Sequence, residues 1–176
     1  MSAVQEGFKE VMRHYAQGVT VVTARHGDRL VGITVSSFTS ISINPPLAMI
    51  AIAKASSSHE PLVNAEYFAV SVLSSDQAWV SERFAGRVAG VKDKFENIPY
   101  RLGSTGSPLI LGAVAWLECK RWRVYEGGDH SIILGEVIEA RLTRRTQPLV
   151  YYNRSYTTVT DPFALATDYY SLLHEW

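Results

Sequence analysis

"LGAVAWLECKRWRVYEGGDHSIILGEVIEARLT", Leu111 to Thr143, holds two long runs of strand-forming residues about a glycine-rich centre. In the first run Val114 and Trp116 alternate with their neighbours, more loosely beyond Leu117, while Glu118, Lys120 and Arg121 supply the polar face. "EGGD" (126–129) is a turn, since two successive glycines relax the backbone, and the second run returns from His130 as the partner strand. Two strands joined this tightly must be antiparallel.

The same pattern recurs toward the N-terminus. "GVTVVTAR" (18–25) and "LVGITVSSF" (30–38) flank a Gly-Asp turn and read as another hairpin. "PLAMIAIAK" (46–54) is almost wholly apolar, which predicts a strand covered on both faces, and "YFAVSVLS" (67–74) repeats the character. "PLVYYNRSYTTV" (148–159) adds a strand pair or a strand and turn, and "KDKFENIPYRLGSTGSP" (92–108) reads as a loop. Short helices fall between. One spans about 3–16, with Val4, Phe8, Val11, Met12 and Tyr15 at helical spacing and Ser2 as its cap. A second follows Ser58 as cap, with Pro61 in its first turn. A third, within 76–85, sets Trp79, Val80, Arg83 and Phe84 on one side, and a helical tail covers about 162–176. Six or seven strands arriving mostly as hairpins predict a mainly β fold, a closed antiparallel barrel (about 18–160) with peripheral helices, rather than a doubly wound sheet.

The 176 residues suffice for one domain with a full core. Lysine plus arginine equals aspartate plus glutamate, 17 each, and neither sign forms a run, so the chain carries no footprint for nucleic acid or an anionic membrane. No apolar stretch reaches the length of a membrane span, and Glu6, Lys9, Glu10 and Arg13 stand where a signal peptide would be apolar, which predicts a soluble cytoplasmic protein. The single Cys119 excludes an internal disulfide and reads as a buried, inert thiol. His14, His26, His59, His130 and His174 show no metal-ligand spacing, so no metal site is expected.

"ITVSSFTSISINPP" (33–46) is harder to account for, because Ser36, Ser37, Thr39, Ser40 and Ser42 crowd hydroxyls between two apolar strands. Read alone they fit either backbone capping in a turn or a polar ligand pocket. "AKASSSH" (53–59) leads from a strand end into a helix and likewise fits a plain serine cap or a phosphate cradle.

Taken in order, "GVTVVTA", "GITVSSFTSISINPPL", "AKASSSHEPL", "YFAVSVLS", "RFAG", "KDKF", "GSPLILGAVAWLEC", "GGDHSIILGEV" and "PLVYYNRSY" resemble the flavin reductases that serve two-component flavin-dependent monooxygenases. The resemblance covers about Phe8 to Thr158 and implies a split β-barrel, usually a homodimer, in which NADH or NADPH reduces FMN or FAD for a partner monooxygenase. It also implies the site. Thr34, Val35, Ser36 and Ser37 line the flavin pocket with Ser40 nearby. Ala53, Lys54, Ser56 and Ser57, with Ser58 at the margin, contact the cofactor. Phe84 sits near the flavin, Lys94 and Phe95 near its phosphate or nucleotide end, and Arg87 is the loosest match. Asp129 and His130 belong to the nicotinamide side, with His130 orienting the nicotinamide or stabilising charge on the reduced flavin. A flavin-binding or electron-relay module without catalysis is the alternative, and the Gly-Asp-His unit speaks against it.

Overall fold

A computed structural model describes residues 1–160; the predicted helical tail at 162–176 lies outside the described residues. Helix α1 (Ala3–Arg13) opens with a capping box, Ser2 and Gln5 satisfying each other's backbone N–H groups. It ends short of the predicted residue 16, and it buries none of its residues.

Strand β1 (Gln17–Gly18) is followed by β2 (Thr20–His26), β3 (Arg29–Val35), β4 (Thr39–Ile43) and β5 (Pro46–Ala53). Helix α2 (His59–Asn64) leads to β6 (Tyr67–Val72), a 3₁₀ turn (Ser75–Gln77) and α3 (Ala78–Phe84). Strands β7 (Tyr100–Leu102) and β8 (Pro108–Ile110), long β9 (Ala115–Gly127) and β10 (His130–Leu142), and β11 (Val150–Tyr152) and β12 (Ser155–Thr157) complete the described chain. The predicted long hairpin is present, with Gly127 opposite His130. Gly128, at φ 73, takes the first central position of its two-residue turn, where a side chain would be strained.

Seven strands form one antiparallel sheet in the order β3-β2-β6-β9-β10-β5-β4. The curled sheet is a split barrel, and the closure read from the sequence is corrected: β3 and β5 approach one another but share no ladder. A seam is left along the outer edge of β3. The reason is local. Past Val35 the chain turns out of β3 through Ser36 to Phe38 and pairs β4 with β5 instead.

Two apolar clusters explain which strands are firm. Inside the curl, Val22, Ile50, Ile52, Phe68, Val70 and Ile133 pack together. On the outer face Val21, Leu73, Val80, Phe84, Phe95 and Leu149 pack beneath α3 and the loop after it. Strands β2 and β6 are therefore buried on both faces, as predicted for "YFAVSVLS". Strand β5 is not: its burial alternates, with Ala48, Ile50 and Ile52 inward and the other face half-covered. The apolar run there reflects small residues and a half-open environment rather than two packed layers.

Four further expectations are corrected. The stretch 92–108 contains the β7–β8 hairpin, held against β2 by the Thr23 hydroxyl donating to the Pro108 carbonyl. Glu118 is buried rather than on the polar face, and it clasps that hairpin: Ser104 donates through N and Oγ at 3.0 and 3.1 Å, Thr105 at 2.8 and 2.6 Å. Burial pushes the Glu118 carboxyl up, yet these bonds outweigh it and hold the group below its ordinary value. In α3 the buried residues are Val80, Ser81 and Phe84, while Trp79 is half-exposed. Ser58 precedes α2 but makes no capping bond, its hydroxyl donating to the Gly32 carbonyl at 3.1 Å. Cys119 is fully buried, and burial pushes its thiol up to about 12, which agrees with an inert cysteine.

Candidate functional site

The seam between β3 and β5 is bridged by one side chain. The Ser37 hydroxyl accepts from Ala51 N–H at 3.0 Å and donates to Ala51 C=O at 2.9 Å, so a serine stands in for a ladder partner. Against this clasp lies a 240 Å³ cavity lined by Thr34, Val35, Ser36, Ser37, Ala51, Ala53 and His130, among others. His130 reaches it because the β10–β5 register sets it opposite Ala53. Residues separated by nearly a hundred positions in sequence are thus brought to one wall.

The three hydroxyls of the T-V-S-S stretch do different things. Thr34 Oγ1 donates to the Ser81 carbonyl at 2.7 Å and pins β3 to α3. Ser37 is spent on the seam. Ser36 makes no hydrogen bond through its hydroxyl among the described residues, and it borders three cavities: the 240 Å³ one, a 130 Å³ one toward Arg87, Tyr151 and Tyr156, and a 370 Å³ groove beside α1. Small side chains at Ala51 and Ala53 leave room for a flat ring to approach the backbone of both strands. This donor set fits the polar edge of a flavin: one uncommitted hydroxyl, the unpaired outer edge of β3 and two alanines.

Around His130 the charges are paired. Its Nδ1 lies 2.7 Å from Asp129 Oδ1, and this hydrogen bond holds the Asp129 carboxyl below the usual range. Lys54 anchors the turn twice, its N–H donating to Asp129 C=O at 2.9 Å and its Nζ lying 2.5 Å from Glu126 Oε2, which lowers the Glu126 carboxyl. Ser56 accepts from Ser58 N–H at 3.2 Å. His59, which the sequence reading left without a role, lies with Nε2 2.8 Å from the buried Ser131 hydroxyl, directly after His130.

The remaining candidates separate. Ser57, Lys94 and Phe95 line a 510 Å³ cavity near the β2–β3 turn rather than the seam cavity. Lys94 donates to the Phe84 and Gly32 carbonyls at 3.0 and 3.3 Å, and burial lowers its ammonium. Phe84 is fully buried and packs edge-on against Phe95, ring centroids 5.0 Å apart, so it acts as core beneath β3 rather than offering a ring to a ligand. Gly32 makes that contact possible, since a Cβ there would come 2.5 Å from the Phe84 ring. Ser40 is exposed on β4, away from the seam cavity.

Arg87, the loosest match, lines the 130 Å³ cavity with Thr34 and Ser36. It pairs with Glu82 at 2.9 Å and lies over the Tyr151 ring, 6.0 Å from its centroid. The Tyr156 hydroxyl lies 2.6 Å from Glu82 and 2.9 Å from Ser81 Oγ. The Tyr156 hydrogen bond, with Arg87 behind it, lowers the Glu82 carboxyl, and Glu82 in turn raises the Arg87 guanidinium. "PLVYYNRSY" marks this wall in the sequence, but only the fold sets it against Thr34.

Comparison with known proteins agrees with this architecture. A family model described as "Flavin reductase like domain" matches residues 12–160. The chain belongs to that family. It is 47% identical over 135 residues to the NADH-dependent FAD reductase of Streptomyces globisporus, covering 75% of this chain and 73% of that one. It is 38% identical over 159 residues to the reductase component of 4-hydroxyphenylacetate 3-monooxygenase from Thermus thermophilus, covering 90% and 99%. The solved structure of the Streptomyces globisporus NADH:FAD oxidoreductase in complex with NAD and FAD fragments superposes with a TM-score of 0.82 at 38% identity, covering 91% and 94%. The resemblance read from nine ordered motifs and the split-barrel class are both confirmed.

Proposed function

We propose that this flavin reductase family member transfers a hydride from NADH or NADPH to FAD or FMN at the β3–β5 seam and hands the reduced flavin to a monooxygenase component. The observation that carries this is the convergence of Thr34–Ser37, Ala53 and His130 on one cavity. A bound flavin supplies the hydride acceptor. The chain has to orient two rings and keep water from between them, and no side-chain nucleophile is needed. Ser36 is the donor to the flavin's polar edge. His130, fixed by Asp129, orients the nicotinamide from the β10 end of the same cavity. Lys54 holds the His130 turn through Asp129 and Glu126, which makes it a positioning residue as well as a cation near the cofactor's phosphate. Lys94 and Ser57 stand in the 510 Å³ cavity, where the nucleotide end of FAD would extend.

The working form is a homodimer. The seam cavity is smaller than the roughly 300–1,000 Å³ of ordinary ligand pockets, which favours completion by a second chain. Val4, Phe8 and Val11 on α1, and Trp122, Val124 and Tyr125 on β9, are exposed. Trp116, on the same strand, is buried and adds nothing to that surface. Among the described residues no helix is long and apolar enough to cross a membrane.

Anaerobic mixing with NADH or NADPH in the presence of FAD or FMN tests the activity: bleaching of the oxidised flavin band is expected with at least one pair. No bleaching with any of the four pairs overturns the reading.

A further inference from the structure

At the far end of the β9–β10 ribbon from His130, about eleven residues or roughly 35 Å along the strands, lies a second feature that the flavin chemistry does not use. Trp116 on β9 is buried beneath two arginines: the Arg101 guanidinium lies 4.7 Å from the ring centroid and that of Arg141, its cross-strand partner on β10, lies 6.0 Å away. They border a 320 Å³ cavity whose apolar side is formed by the exposed Leu111 and Leu142, with Ile110 buried behind them.

Neither arginine has an acidic partner within 4.0 Å among the described residues, although acids are close. Asp76 is taken by Arg144 at 3.3 Å, and Glu118 is closed off by Ser104 and Thr105. Glu139, two residues before Arg141, faces the Ser104 hydroxyl at 3.5 Å. Two like charges gathered over one indole repel each other, and cation–π attraction offsets only part of that. An oxyanion between them removes the repulsion, and the planar fork of each guanidinium matches a carboxylate.

We propose that the Arg101–Trp116–Arg141 cleft binds a small organic carboxylate, its acid group between the guanidiniums and its apolar body along Leu111 and Leu142. The carboxylate supplies both oxygens to the forks, and the floor of the cleft gives an advantage over a bare oxyanion. This site lies apart from the seam, and its test does not depend on flavin reduction.

Titration of the ¹⁵N-labelled full chain with sodium benzoate, at ionic strength held constant with chloride, reads the site through the indole N–H signal of Trp116, assigned by its loss in Trp116→Phe. The expected result is a saturable shift whose half-saturation concentration rises at least about tenfold in Arg101→Gln/Arg141→Gln. Inorganic phosphate is expected to move the same signal and to saturate at higher concentration. Arg141→Lys, which keeps the charge and loses the fork, is expected to weaken benzoate binding and serves as the reading if the double variant fails to fold. No saturable shift, a half-saturation unchanged by these substitutions, or phosphate saturating as readily as benzoate overturns the proposal.

Discussion

Strand β6 and the β3–β5 seam lie on the same curled sheet and are stabilised differently. Strand β6 is hydrogen-bonded on both sides, to β2 and β9, and its side chains are buried on both faces. At the seam one serine does the work of a ladder, and the lining mixes threonine, serines, alanines and a histidine with Ile33, Val35 and Ile52. The wall gains stability from apolar burial, which is insensitive to small ligands. The seam leaves polar edges half-satisfied, and that is where a ligand with its own donors and acceptors gains most.

The largest effect is expected in the wall. Phe68→Ala removes a fully buried ring that packs against Gly135 and Cys119, and should cost about 3–5 kcal/mol by urea denaturation. A cost below about 1 kcal/mol would remove the distinction between wall and seam. Next, Ser37→Ala leaves Ala51 N–H and C=O without their partner and should cost about 1–3 kcal/mol while weakening flavin binding. A loss of affinity with no loss of stability would make Ser37 a ligand contact and not a clasp.

Ser36→Ala should behave in the opposite sense. Its hydroxyl holds nothing among the described residues, so stability should stay within about 0.5 kcal/mol, while flavin affinity by fluorescence quenching should fall about fivefold. The smallest effect concerns acid. The Glu82 carboxyl is lowered from its ordinary 4.5, so its stabilising contribution is present above that value and is lost as pH falls through the lower folded value. Melting temperatures measured from pH 6 downward should therefore decline less steeply below about 4.5 in Glu82→Gln than in the parent. Parallel curves would show that the Tyr156–Glu82–Arg87 contact contributes nothing.

Legibility in the sequence followed the same division. The covered strands and the β9–β10 hairpin announce themselves, because apolar runs and a Gly-Gly turn are local signals. Strand β5 misled: "PLAMIAIA" is as apolar as "YFAVSV", yet alanines on its second face are there for lack of bulk, not for burial. Glu118 looked like a surface residue because its two partners, Ser104 and Thr105, lie in a turn more than ten residues upstream, and nothing local to Trp116 shows that its arginine cover comes from β7 and β10. For the site, ordered motifs pointed to Thr34–Ser37, Ala53 and His130, which the fold unites. They also pointed to Phe84, whose identity is explained by packing against Gly32, and they could not distinguish the free Ser36 hydroxyl from its two occupied neighbours.

In the function proposed above, His130 handles the nicotinamide at a seam where the flavin is held by other residues. Its most direct test is single-turnover anaerobic reduction at saturating flavin, comparing the parent with His130→Ala and titrating each with flavin beforehand. Flavin affinity is expected to stay within a few fold and hydride transfer to slow by about tenfold or more, since the lost contact exists only with both rings bound. A His130→Ala protein that reduces flavin at the parental rate would contradict it, leaving the Gly-Asp-His unit as a hairpin turn and nothing more.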